Sequence, residues 1–306
     1  MPPKDAFTPK HPDMKDKIVV ITGATSGIGQ VAAENLARRG ARIIQVARDR
    51  ARGEAALQRL REVAPNREHT VHYADLSRLS EMKRVASEIV AAEPRVDVLI
   101  NNAGAIFGRR QITEDGLEMT FALNHMSYFV LTQGLRERLI ASAPARVVST
   151  ASDAHESAIL DFADLQSEKA YAERSLWDWA RFGGPGFKVY GRSKLCNILF
   201  THQLSRRLAA TGVTANCLHP GFVATRFGDQ AGGLISFAVR VAKRFALSPE
   251  EGAETLVYLA TSPEVAAETG KYFDKCRPAA PSRQAQDRDV AQRLWGESEK
   301  LAQLSD

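Results

Sequence analysis

Residues 17–39 constrain the fold more than any other part of the chain. Residues 17–22 (KIVVIT) are a short apolar, β-branched run, which predicts a buried strand. Gly23-Ala24-Thr25-Ser26-Gly27-Ile28-Gly29 follows directly, and residues 28–39 then read as a helix with Val31, Ala32, Leu36 and Ala37 available for burial. In such a turn Gly23 lets the chain bend sharply, Gly27 lets the backbone approach a pyrophosphate, and Gly29 lets helix and strand pack closely. The helix N-terminus adds unpaired N–H groups and a partial positive charge, both suited to phosphate. The spacing is G-x-x-x-G-x-G rather than G-x-G-x-x-G, and the competing reading is a glycine-rich turn that binds nothing.

The rest of the 306 residues continues the same alternation. After strand 17–22 and helix 28–39, the pattern predicts strand 42–47, helix 50–63, strand 70–74, helix 79–92, strand 96–100, helix 115–140 and strand 145–150. Helix 189–210, strand 213–218, helix 249–261 and a last strand near 271–274 complete it. Apolar strands separated by helical patterns, with no linker and no repeat, predict an α/β fold: one doubly wound parallel sheet with helices on both faces. Residues 1–14, with four prolines and several charges, read as an extended N-terminal arm, and residues 15–306 as a single domain. An insertion is expected at about 153–188 and a lid-like helix at about 232–247.

Tyr190-Gly191-Arg192-Ser193-Lys194 puts a phenol and an ammonium one helical turn apart on one face. A free tyrosine, with a pKa of about 10, is a poor base at neutrality. A fixed positive charge beside it favours the phenolate. Alone, this spacing also describes many surface pairs. Three further features accompany it. Asn101-Asn102-Ala103-Gly104 follows an apolar strand, Asn124 lies in a helical pattern, and Ser152 follows strand 145–150. Each alone is an ordinary turn or cap.

Taken in this order, they make the chain resemble the short-chain dehydrogenase/reductase family. The resemblance runs from about residue 17 to the end. It rests on T-G-x-x-x-G-I-G at 22–29, N-N-A-G at 101–104, Asn124, Ser152, Tyr190 and Lys194. Within the family the chain looks most like the retinol dehydrogenases and the oxidoreductase domain of WW-domain-containing oxidoreductase. Residues 190–208, His219-Pro220-Gly221, residues 270–273 (GKYF), and Leu294-Trp295 with Ser298-Glu299 carry that part. The resemblance implies a seven-stranded Rossmann sheet in the order 3-2-1-4-5-6-7 and a nicotinamide dinucleotide cofactor. It implies cofactor contacts at Thr22, Gly23, Thr25, Ser26, Gly27, Ile28, Gly29, Asp75, Leu76, Asn102, Ala103, Gly104, Tyr190, Lys194, Pro220, Gly221, Val223 and Thr225. It also implies the catalytic set. Tyr190 is the acid/base and Ser152 a hydrogen-bond donor to the reacting oxygen. Lys194 lowers the tyrosine pKa and holds the nicotinamide ribose, and Asn124 anchors a water leading to solvent. Ser149 is the rival for the serine role. Ser152 aligns with the second serine of the family's pair, where Ala151 replaces the first.

Arg48 follows the second strand, where such folds meet the adenosine ribose. An acid there would repel a 2′-phosphate, and an arginine attracts one. The expected cofactor is therefore NADP(H), with Arg50 or Arg52 as helpers; the competing reading is that Arg48 only starts the next helix. The net charge is +5, but the arginines are spread over many helices without interleaved aromatics, so no nucleic-acid partner is expected. Three cysteines without metal-ligand spacing, and histidines without ligand partners, predict no metal. With no apolar leader and no apolar run near 20 residues, the expected home is a reducing cytoplasm.

The expected substrate is a small hydrophobic alcohol or its aldehyde or ketone, retinoid- or lipid-like. In the insertion, Phe162, Leu165, Tyr171, Leu176, Trp177, Trp179 and Phe182 either line an apolar cleft or pack an excursion onto the domain. Residues 233–247 carry an apolar stripe and a basic side. They read as a substrate lid, or as a helix in peripheral contact with an anionic membrane. The family resemblance allows a homo-oligomer through the long helices. Two other functions fit parts of the pattern: protochlorophyllide-type C=C reduction, from the K-x-C-N run at 194–197, and a non-catalytic NADP(H)-sensing regulator.

Overall fold

All five residues of β1 (Ile18–Thr22) are buried. Their side chains alternate between two cores: Ile18 and Val20 face one, Val19 and Ile21 the other. A strand covered on both faces needs a continuous apolar run, which is why KIVVIT shows no polar alternation. Each such Val or Ile contributes roughly 1.5–3 kcal/mol on burial. The computed structural model describes residues 13–172, 184–221 and 247–303.

The chain continues through α1 (Gly27–Arg38), β2 (Arg42–Ala47), α2 (Arg50–Val63), β3 (Thr70–Tyr73), α3 (Leu79–Ala92) and β4 (Val98–Asn101). Next come α4 (Met119–Phe121), a π-helical turn (Ala122–Met126), α5 (Ser127–Ala141) and β5 (Ala145–Thr150). The second half holds α6 (Glu168–Ala172), α7 (Pro185–Arg207), β6 (Val213–His219), α8 (Pro249–Thr261), β7 (Tyr272–Asp274), β8 (Arg277–Ala279) and α9 (Arg288–Ala302). The strands form one sheet in the order β3-β2-β1-β4-β5-β6-β7-β8, parallel except for β8. The core on one face takes Met82 and Val85 of α3, Leu135 of α5, Leu199 of α7 and Trp295 of α9. The opposite core takes Leu36 of α1 and Leu256 and Leu259 of α8.

Several expectations need correction. The sheet has eight strands, not seven, and is not wholly parallel. Lys275 and Cys276 both take positive φ, 46° and 60°, and turn the chain back as a two-residue hairpin. Neither is the Gly or Asn that such a turn favours, so the hairpin left no local signal. The expected helix 115–140 starts later, at Met119, because the Glu118 carboxylate accepts from the N–H groups of Thr120 and Phe121 (2.9 Å each). It is also interrupted by the π turn. The expected helix 189–210 starts earlier: Gly184 at φ 94° and Pro185 open α7. Met14 is buried against the second core and donates its N–H to Arg39 O (2.8 Å), so packing begins inside the expected arm.

Candidate active site

Reversal of strand order between β1 and β4 opens a crevice beyond their C-terminal ends, where open α/β sheets take ligands. Three strand ends are laced together there. Thr22 Oγ1 accepts the N–H groups of Asn102 and Ala103 (3.0 Å each). Asn102 Nδ2 donates to Thr22 O and Gly23 O (3.2 Å each), and Asn102 Oδ1 accepts from Thr150 Oγ1 (3.2 Å). Thr22 and Asn102 thus brace the crevice floor.

The glycine turn lies on that floor. Gly23 and Gly27 take φ 70° and 59°. A methyl group on Gly29 would lie 2.3 Å from Gly23 O and 2.4 Å from Asn102 Nδ2. No side chain larger than hydrogen fits between the strand end and α1, so the backbone itself is the surface offered there. Ser26 precedes α1 without capping it with its side chain, leaving the first-turn N–H groups uncapped by that hydroxyl. This cradle suits a pyrophosphate.

At the end of β2, Ala47 is buried while Arg48, Arg50 and Arg52 are exposed. The Arg50 guanidinium lies 4.8 Å over the Tyr73 ring. Asp49 caps α2 through the N–H of Arg52 (2.8 Å). Past β3, Asp75 Oδ1 accepts from Ser77 N (3.0 Å) and Ser77 Oγ (2.7 Å), and Leu76 is buried.

Asn124 sits in the π turn, a geometry often found where a side chain must be re-aimed at a site. Its Oδ1 accepts from Ala105 N (2.9 Å), and its Nδ2 donates to Ala105 O (2.9 Å) and Ser193 Oγ (3.0 Å). A methyl group on Gly104 would lie 3.1 Å from Asn124 Oδ1 and 3.7 Å from Lys194 Nζ. The Asn-Asn-Ala-Gly corner, Asn124 and Lys194 therefore converge on one spot.

Lys194 is 2% exposed and donates to Thr150 O at 2.8 Å. Burial pushes its ammonium down to about 7. Its Nζ lies 5.5 Å from the Tyr190 ring centre. Tyr190 is 8% exposed. Burial raises its phenol pKa, a hydrogen bond with the Ser152 hydroxyl lowers it, and the Asp153 charge raises it further. Burial is the largest influence on the Tyr190 pKa, and the Lys194 ammonium points to the Thr150 carbonyl rather than to the phenol. The neutral phenol is the favoured form.

The structure brings Ser152, not Ser149, to Tyr190. Ser149 Oγ is buried within β5 without a partner, whereas Ser152 lies just past the strand end. Ser152 Oγ also donates to Asp153 Oδ1 (3.0 Å) and accepts from Ala154 N (3.2 Å). Two histidines hold this segment, His155 and the His219 of the His-Pro-Gly run. His155 Nδ1 donates to Ser152 O at 2.6 Å, and its Nε2 accepts from Ser282 N at 3.1 Å. His219 Nδ1 accepts from Asp153 N at 3.2 Å. The Ser-x-x-His spacing at 152–155 was a usable signal for the first; the second depends on the pairing of β5 with β6.

Gly221 takes φ 80° beside Pro220, and a methyl group there would lie 2.3 Å from Leu247 Cδ1. Val223, Thr225, the expected lid at 232–247 except its last residue, and Leu176, Trp177, Trp179 and Phe182 lie outside the described residues. The described part of the insertion packs onto the domain. Tyr171 donates to Phe107 O (3.0 Å), Gln166 Oε1 accepts from Glu118 N (2.7 Å), and Asp164 pairs with Arg192 (3.0 Å). Among the described residues there is no cluster of three or more potential metal ligands, and no helix is long and apolar enough to cross a membrane.

Residues 17–168 match the family model for short chain dehydrogenases. Human retinol dehydrogenase 13 is 40% identical, with 97% of this chain and 87% of the relative covered. A crystal structure of a protein from Mycobacterium paratuberculosis is 32% identical with a TM-score of 0.74, covering 96% of each chain. The Pseudomonas aeruginosa RhlG/NADP active-site complex is 26% identical with a TM-score of 0.67, covering 87% of this chain and 97% of that one.

Proposed function

Because this chain belongs to the short-chain dehydrogenase family and is an oxidoreductase of CH–OH and C=O groups, we propose that it interconverts a hydrophobic, retinoid- or lipid-like alcohol and its carbonyl compound with NADP(H). One observation carries the reading: a buried tyrosine, hydrogen-bonded to Ser152, one helical turn from a buried lysine at the crevice of a glycine-lined dinucleotide cradle.

When bound, the nicotinamide supplies or accepts the hydride. The pyrophosphate would lie on the Gly23–Gly29 turn with Thr25, Ser26 and Ile28, the adenine by Asp75 and Leu76, and the nicotinamide ribose by Lys194 and Tyr190. Pro220, Gly221, Val223 and Thr225 would meet the carboxamide. For reduction, Tyr190 gives its phenolic proton to the substrate oxygen while Ser152, turning its hydroxyl from Asp153 Oδ1, donates a hydrogen bond to it. The phenol carries its proton near neutrality with or without burial, and the Ser152 hydrogen bond, which lowers its pKa, eases the transfer. Lys194, with its pKa brought near neutrality, can exchange a proton beside Asn124.

The test is NADPH oxidation by the purified protein, beside NADH, against hydrophobic aldehydes and ketones including retinal. Turnover with NADPH supports the reading. Tight NADPH binding with no turnover on any member points to the sensor function instead. The 2′-phosphate assignment to Arg48 has its own arm. Arg48→Ala should lower the NADPH/NADH ratio of kcat/KM by about tenfold to a hundredfold, the value of a lost charge-assisted hydrogen bond. A wild-type ratio that favours NADH would sink it.

Lys194 also predicts a pH dependence of stability. Between its folded value near 7 and the ordinary lysine value, the unfolded chain binds more protons than the folded one, so stability rises with pH across that window. From pH 7 to pH 9 the wild type should gain on the order of 2–3 kcal/mol more than Lys194→Met, as read by urea unfolding of the cofactor-free protein. Equal increments in the two proteins would refute the buried, depressed lysine.

A further inference from the structure

Asn124 is held in the crevice by contacts on one side of the π turn; the opposite side of the same turn is held by the tail of the chain. His125, the next residue, is fully buried, and its Nε2 lies 2.9 Å from Ser298 Oγ on α9. Ser298 Oγ spends its single proton on Leu294 O (2.8 Å). The serine is therefore the acceptor, and His125 donates from Nε2. Burial keeps this imidazole neutral by pushing its pKa down to about 3, against a smaller opposing effect of a hydrogen bond with Asn197.

The same face of α9 reaches the helix that carries Tyr190 and Lys194. Trp295, one turn before Ser298, stacks on Phe200 of α7 with ring centres 5.9 Å apart and planes 10° apart. It also meets Phe129 of α5 edge-on at 4.9 Å. Phe200 in turn lies 6.3 Å from the His125 ring. One turn of the tail therefore grips both helices whose side chains converge at Gly104. A π turn is a rare, single-turn interruption of an α-helix, and this one is held by contacts on both sides.

We propose that His125 and Ser298 are positioning residues: their buried hydrogen bond lets α9 set the place of Asn124 against Lys194. This rests on the reading that Asn124 belongs to the acid–base set. It gives the Leu294-Trp295 and Ser298-Glu299 tail motif a task in the reaction, 173 residues away in sequence from the turn it supports.

The experiment compares Asn124→Ala, Ser298→Ala, Ser298→Thr and the double variant His125→Phe/Ser298→Ala, each assayed with NADPH and carbonyl substrate and by thermal unfolding. Asn124→Ala must lose turnover; if it keeps wild-type kcat, the role of Asn124 itself is wrong. Given that loss, Ser298→Ala should lower kcat on the order of tenfold, the scale of a small misplacement, while KM for NADPH stays within about twofold. Ser298→Thr, which keeps the acceptor, should recover most of kcat. The double variant removes the donor and the acceptor of this bond together, so neither is left buried facing a lost partner. It should regain thermal stability while kcat stays low, and it gives the answer even if Ser298→Ala folds poorly. Wild-type kcat in Ser298→Ala, or recovery of both stability and kcat in the double variant, would overturn the proposal and leave the contact a packing feature.

Discussion

Tyr190→Phe is expected to lower turnover of carbonyl substrates by roughly 10²–10⁴-fold, the range that a positioned proton donor contributes. NADPH affinity should change by no more than a few-fold, because the glycine turn, Arg48 and Lys194 are untouched. The ring stays, so its packing against Phe187, 6.0 Å away, is kept. Only the hydroxyl that meets Ser152 is lost. Single-turnover hydride transfer with saturating NADPH isolates this step from binding and release. Turnover within tenfold of wild type would mean that another group supplies the proton, and the proposed roles of Ser152 and Lys194 would fall with it.

Gly29→Ala should be nearly as damaging by a different route. The added methyl would sit 2.3 Å from Gly23 O and 2.4 Å from Asn102 Nδ2, distances at which something must move. Neither neighbour is free to yield. Gly23 O accepts from Asn102 Nδ2, and Asn102 also bonds Thr22 O and receives Thr150 Oγ1. Opening the turn therefore disturbs the ends of β1, β4 and β5 together. A loss of about 1–3 kcal/mol of stability is expected from overpacking, with a fall in NADPH affinity of at least a hundredfold. Gly296→Ala is the control: nothing lies within 4 Å of the position, it is helical, and stability should rise by roughly 0.5–1 kcal/mol. Fluorescence titration with NADPH and thermal unfolding read both variants. Wild-type affinity in Gly29→Ala would show that the turn does not cradle the cofactor.

Much of the fold was legible because its signals are local. A β-branched run, a glycine turn and a 3.6-residue period specify strand, bend and helix within some twenty residues, and repeating that unit implies a parallel sheet covered on both faces. The spacing of Tyr190 and Lys194 placed them on one helical face without any knowledge of neighbours. Where local signals were weak the expectation slipped. The hairpin that adds β8 turns on Lys275 and Cys276, residues whose type does not call for positive φ. The π turn around Asn124 has no compositional mark, since its geometry comes from contacts on both sides.

The sequence alone determined which groups could do the chemistry: a phenol and an ammonium one turn apart, a turn too tight for side chains, and an arginine where an acid would exclude a phosphate. Tertiary structure decided the rest. It chose Ser152 over Ser149, because only the residue past the strand end reaches the phenol. It brought His155, His219 and Ser298 to the site's supports from distant stretches of chain. It also made burial the largest influence on the Tyr190 pKa. Charge spacing can be read along a helix, but desolvation depends on everything packed around it, and that is known only when the chain is folded.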